Sequence, residues 1–214
     1  MTSGIRGVAA RILALLITVG LVSGCGSRQP EVATFPAAES LVLDGVTVVD
    51  TGDGHLTPGM SILMDKGRIV RIAPGGTLGA EAGIRRIDAR GKFVVPGYND
   101  MHAHVLGVEH PSAALALMLT NGVTGFRQMH GSPELLEQRR NHTLPIPRES
   151  PAVLAMPGSL LTPANAGTPE MAVDTVREQK AQGAAFIKVG MASAPVFLAA
   201  LEESNRVHIP FVGH

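Results

Sequence analysis

Hydrophobic and polar positions divide the chain into three stretches with different rhythms. The first is a predominantly apolar run over residues 12–22, preceded by Arg6 and Arg11 and followed by Ser23, Gly24 and Cys25. A short positive region, an apolar core of about 7–15 residues and small residues before a cut describe a secretory signal. The run is shorter than the ~20 apolar residues that span a bilayer as a helix. Residues 26–39, with Pro30, Pro36 and several small or polar side chains, read as a flexible tether.

The second stretch, residues 40–95, carries short β-branched runs between tight turns. Leu-Val-Leu-Asp-Gly-Val-Thr-Val-Val-Asp at 41–50 ends in a Gly-containing turn at 51–54, and strand patterns follow at 61–64, 68–72, 85–89 and 92–95. Asp65-Lys66-Gly67 supplies one of the turns. This pattern predicts a small β-sandwich, and any small all-β module shares it.

From Pro96 the period changes. Strand patterns at 98–105, 123–129, 152–156, 184–190 and 209–214 alternate with helical ones at 112–120, from 132, from 168 to about 183, and at 195–206. Ser132-Pro133 and Thr168-Pro169 are helix starts, with a capping side chain and a proline in the first turn. Units of roughly 30 residues in which strand and helix alternate predict parallel βα units. The class is therefore α/β, although wound sheets and barrels share that rhythm.

Composition removes several function classes. With 18 basic and 18 acidic residues the formal charge is zero and no basic run occurs, which argues against nucleic acid as a partner. Trp is absent and Phe and Tyr number six and one, so aliphatic side chains must build the core, as they do in parallel-strand interiors. There is no Gly-x-Ser-x-Gly elbow and no Gly-rich phosphate loop. The one cysteine, Cys25, lies in the export segment and has no partner for an intrachain disulfide.

The most informative stretch is Pro96-Gly97-Tyr98-Asn99-Asp100-Met101-His102-Ala103-His104. Side chains two apart on a strand face the same way, so His102 and His104 can point at one ion. They fall at the end of the first parallel strand, where barrel active sites are built. Lys188 ends an apolar run on the fourth strand of this series, and His214 ends the fifth; a surface lysine and a chance terminal histidine are the plain alternatives.

Pro-Gly-x-x-Asp-x-His-x-His after a β-rich segment resembles the amidohydrolase superfamily, close to imidazolonepropionase-like and Xaa-Pro dipeptidase-like members. The resemblance continues through residues 121–127 and 183–189 and covers about residues 40–214. It implies a (β/α)8 TIM-type barrel, of which about five strands are present at 96–214, preceded by a β-sandwich at 40–95. It implies His102, His104, Lys188 and His214 as metal ligands for one or two divalent ions, zinc first, with manganese, iron and cobalt also compatible with nitrogen and carboxylate donors. Lys188 would act as a carbamate bridging two ions, a modification that burial of a neutral amine favours.

Asp100 would support the histidine pair without binding metal. Arg127 and His130 are candidate substrate contacts, and His55, His110, His142 and His208 are expected to be solvated. The pattern also includes a histidine after strand six and a proton-shuttling aspartate after strand eight. The catalytic aspartate is thus unassigned here, and the chain is expected to be part of a longer product.

Val22-Ser23-Gly24-Cys25 also resembles a bacterial lipobox, which implies cleavage before Cys25 and lipid attachment to it. The expected product is exported and lipid-anchored to the bacterial cell envelope. Its expected chemistry is hydrolysis of a C–N bond in an amide, cyclic amide or small peptide, with a small-molecule or short-peptide substrate; a homo-oligomer is compatible with the sequence. A non-catalytic, lipid-anchored binding or scaffold protein is the alternative, as is the same site acting on an ester, lactone or phosphotriester.

Overall fold

A computed structural model describes residues 40–78 and 84–213. The signal segment, Cys25 and the tether, as well as His214, lie outside the described residues. Among the described residues no helix is long and apolar enough to cross a membrane. The described residues divide into two compact units, 40–49 with 56–78 and 84–93, and 50–55 with 94–213.

The first unit is one mixed five-stranded sheet built from β1 (Leu41–Val49), β2 (Leu56–Asp65), β3 (Arg68–Pro74), β4 (Arg85–Asp88) and β5 (Phe93–Val94). Its order is β3-β2-β1-β4, with β5 also on β1; β1 and β2 are antiparallel, whereas β1 and β4 run parallel. The β2–β3 hairpin turns at Lys66 and Gly67, both at positive φ (49° and 73°), the geometry that a two-residue hairpin loop demands. Val42, Ala73 and Leu78 pack one face, with Leu63 and Ile84 at its margin. All strands of this unit among the described residues belong to that one sheet, where the sequence predicts a sandwich.

The second unit alternates strand and helix: β6 (Tyr98–Ala103), α1 (Pro111–Thr120), β7 (Val123–Gln128), α2 (Pro133–Arg140), β8 (Ala152–Ala155), α3 (Pro169–Ala181), β9 (Ile187–Lys188), α4 (Ala194–Arg206) and β10 (Phe211–Val212). Strands β6, β7 and β8 pair parallel in that order, as do β9 and β10. The chain after β8 closes the gap between the two groups. Met156 carbonyl accepts from the Ala185 N–H at 2.9 Å, Leu161 N–H donates to the Lys188 carbonyl at 2.9 Å, and Leu161 bridges Val189.

Helix starts follow the sequence: the Ser132 hydroxyl accepts from the Leu135 N–H at 3.2 Å and the Thr168 hydroxyl from the Met171 N–H at 3.3 Å. Met156, Leu161, Val176, Ile187 and Ala200 form the main core, and Phe126 and Leu115 anchor a second cluster under β6 and β7.

One carboxylate ties α3 to α4. Glu203 is only 5% exposed and takes hydrogen bonds from Arg206 Nε and Arg177 Nε, each at 2.7 Å. Arg206 first and Arg177 second hold its carboxyl down to about 2, from an ordinary 4.5. A depressed folded value means that the unfolded chain binds the extra proton, so this contribution is complete above about pH 4.5 and is lost as the pH falls toward about 2. Urea midpoints measured between pH 6 and pH 3 should therefore drop more steeply for the native chain than for Glu203→Gln. Parallel curves would show that the cluster does not hold the helices.

Candidate functional site

The two histidines stand at the C-terminal end of β6. His102 lies on the strand, and His104 follows it directly, at the entry to a single 3-10 turn (Val105–Gly107). Their Nε2 atoms are 3.4 Å apart and the ring centroids 5.4 Å, with the rings tilted by 47°. Two Zn–N bonds of about 2.05 Å at a tetrahedral angle place their nitrogens about 3.3–3.4 Å apart. The spacing thus equals one edge of a tetrahedral site. It is also the outer limit of a ring-to-ring hydrogen bond, which requires one Nε2 to present its lone pair toward the other. Both side chains are exposed.

Asp100 meets the pair through the backbone. Its Oδ1 accepts from the His102 N–H at 2.9 Å. Arg127, on β7, donates from Nε to the Met101 carbonyl at 2.9 Å, and its guanidinium carbon lies 5.3 Å from the centre of the Phe186 ring, within cation–π range. It therefore touches both the strand of the histidines and the approach to β9. His130 is exposed just past the end of β7, and its backbone carbonyl is engaged.

Lys188 is fully buried at the end of β9, opposite Val212 in the parallel register. Its Nζ donates to the Gly213 carbonyl at 2.9 Å. Burial, and then the charge of Arg127, push the amine below its ordinary value of 10.5. Such a group is disposed to lose its proton and become a nucleophilic amine, the form that captures carbon dioxide. Among the described residues no group of three or more His, Cys, Asp and Glu side chains converges as a metal cage. The described part of the expected set is the histidine pair and Lys188.

Sequence reasoning missed Gln128. It is fully buried and sits opposite Ala103, the residue between the two histidines. Its Oε1 accepts from the Leu106 N–H at 3.3 Å and its Nε2 donates to the His130 carbonyl at 2.8 Å, tying the chain after His104 to the chain after β7. A polar residue between Phe126 and Met129 in a buried strand was the available signal, because a buried amide needs partners at both ends. The next two loops also lock together. Gly131 N–H donates to the Gly158 carbonyl at 3.1 Å. A methyl group at Gly131 would strike the Pro157 carbonyl oxygen, and one at Gly158 would lie 2.7 Å from the buried Gln179 side chain.

No protein-family model matches the chain. A dihydroorotase of Anoxybacillus flavithermus is 31% identical over 165 residues, which cover 69% of this chain and 36% of that protein. An adenine deaminase of Paracoccus denitrificans is 32% identical over 99 residues, 46% of this chain and 17% of that protein. Among solved structures, a Xaa-Pro dipeptidase with methionine in its active site superposes with a TM-score of 0.62 at 16% identity, over 82% of this chain and 56% of that one. The chain spans between about a sixth and just over a third of the length of these two curated relatives, and it shares the fold of the dipeptidase.

Proposed function

We propose that this chain belongs to the amidohydrolase superfamily and carries the first part of a metal-dependent site that hydrolyses C–N bonds. Adenine deamination and dihydroorotate ring opening are both hydrolyses at C–N bonds, and relatives named for them align with this chain. In this reading β6 to β10 are the first five strands of a (β/α)8 barrel, with the first unit as a companion β domain.

The observation that carries the reading is the 3.4 Å Nε2–Nε2 separation of His102 and His104, which fits two ligands of one tetrahedral ion. His102 and His104 would hold one ion; Lys188, as its carbamate, and His214 would supply the further ligands for a second. A divalent ion in such a place supplies Lewis-acid activation of water and of a substrate carbonyl.

The chain's own residues supply the rest. The main-chain bonds from Asp100 and Arg127 steady the histidine strand, and burial of Lys188 keeps its amine ready for carbon dioxide. Residues in the loops after β6, β7 and β8, His130 among them, border the space where a small amide or short peptide would lie. For location, the Val22-Ser23-Gly24-Cys25 sequence supports export and lipid attachment at Cys25.

The test is metal analysis and a substrate panel on the full-length gene product, with and without added zinc and bicarbonate. The expected result is one to two ions per chain in the manner of a two-ion site, and zinc-dependent hydrolysis of at least one amide, cyclic amide or dipeptide. A metal-loaded sample that turns over only esters, lactones or phosphotriesters would reassign the chemistry. Failure to bind any divalent ion would sink the reading.

A further inference from the structure

The strand that carries the histidines is not a regular one. In its pairing with β7, Asp100 stands opposite Phe126 and Ala103 opposite Gln128, so β6 advances three residues while β7 advances two. The extra residue falls in Met101–His102, opposite Arg127 alone. Such a bulge takes backbone groups out of the ladder, bends the strand and re-aims the side chains on it. Two side chains then bracket this bulge. Asp100 Oδ1 accepts from the His102 N–H, and Arg127 Nε donates to the Met101 carbonyl, each at 2.9 Å. The stretch is exposed, so without them water would compete for the same groups and the bulge would have several conformations.

We propose that Asp100 and Arg127 are positioning residues that lock this bulge, and that the locked bulge sets the aim of His102 relative to His104. The inference deepens the metal-site reading above and rests on it. Asp100 acts by accepting a main-chain hydrogen bond, so its charge is dispensable and it is not itself a ligand. Arg127, a candidate substrate contact from sequence, acts through the Met101 carbonyl. The ring of Phe186 and the proximity of β9 fix its guanidinium in place for that task.

The chemistry of the acceptor makes this testable. Asparagine keeps an Oδ1 that accepts from the His102 N–H but loses the charge; alanine loses both. Zinc titration of the full chain, the absorption spectrum of its cobalt form, and amide hydrogen exchange at His102 in the metal-free protein would be read for the native chain, Asp100→Asn, Asp100→Ala and Arg127→Met. Zinc affinity should fall about 10–100-fold in Asp100→Ala and Arg127→Met, the usual cost of removing a group that orients a ligand, and stay near native in Asp100→Asn. The cobalt spectrum should change in the same two variants and not in Asp100→Asn. The His102 amide should exchange roughly tenfold or more faster in Asp100→Ala, and at the native rate in Asp100→Asn.

If Asp100→Asn loses zinc as badly as Asp100→Ala while the circular dichroism stays native, the carboxylate acts by charge or ligation and the inference is overturned. It is equally overturned if the His102 amide is as protected in Asp100→Ala as in the native chain. If the native chain binds no divalent ion, the metal reading falls, and the exchange rates still decide whether Asp100 locks the bulge.

Discussion

His104→Ala should lower zinc affinity by about 10²–10³-fold, a larger loss than any single change outside the histidine pair. Structural zinc sites with four ligands contribute about 10–16 kcal/mol, so one ligand accounts for about 2.5–4 kcal/mol, or about two to three decades of affinity at about 1.4 kcal/mol each. His102→Ala should cost as much, and the double variant little more than either single one, because a lone imidazole holds a divalent ion weakly. His142→Ala is the control. This exposed histidine lies in the turn after α2 and should leave zinc affinity unchanged. Zinc titration by calorimetry checks all four. A His104→Ala chain that still binds with native affinity would mean that the pair is only a hydrogen-bonded couple at the strand end.

The second large effect should separate stability from function. Lys188 is fully buried, and its Nζ donates to the Gly213 carbonyl. An amine that has three donors in its charged form and sits where water does not reach costs more than it returns. Methionine has similar length and no charge, so Lys188→Met should raise the stability of the metal-free chain by about 1–3 kcal/mol, as apolar replacement of buried charge often does. The same variant should lose whatever part of metal binding depends on added bicarbonate. Thermal melts without metal and zinc titrations with and without bicarbonate measure the two halves. A variant that is less stable and still binds zinc in a bicarbonate-dependent way would place Lys188 among purely structural residues.

Much of the fold could be read along the chain because its signals are local. Lys66-Gly67 marks its hairpin through the backbone freedom of two positions, and Ser132 and Thr168 mark helix starts through a single side-chain bond each. The apolar runs at 184–190 and 209–214 predict longer strands than β9 and β10 form. Backbone groups around β9 bond to the chain after β8, through Met156 and Leu161, and those around β10 bond to β9 and to the end of α4; nothing in either run announces those partners. The histidine pair was legible for the same reason as the hairpin: residues two apart on a strand face one way. The slip of register beneath it was not, because it is a relation between Asp100–Ala103 and Phe126–Gln128 on separate strands. Gln128 and Arg127 act across that same boundary, so their partners had to be seen rather than read.

The clasp between Gly131 and Gly158 bears on how the segments after β7 and β8 could be diversified. The chain segments after β7 and β8 meet main chain to main chain, with no side chain between them to absorb a change, so an insertion in one displaces the other. Anyone grafting new specificity onto the scaffold should exchange these two segments as a matched cassette. The turn after β6 is tied through Gln128 to the same segment after β7, so it belongs in that cassette as well.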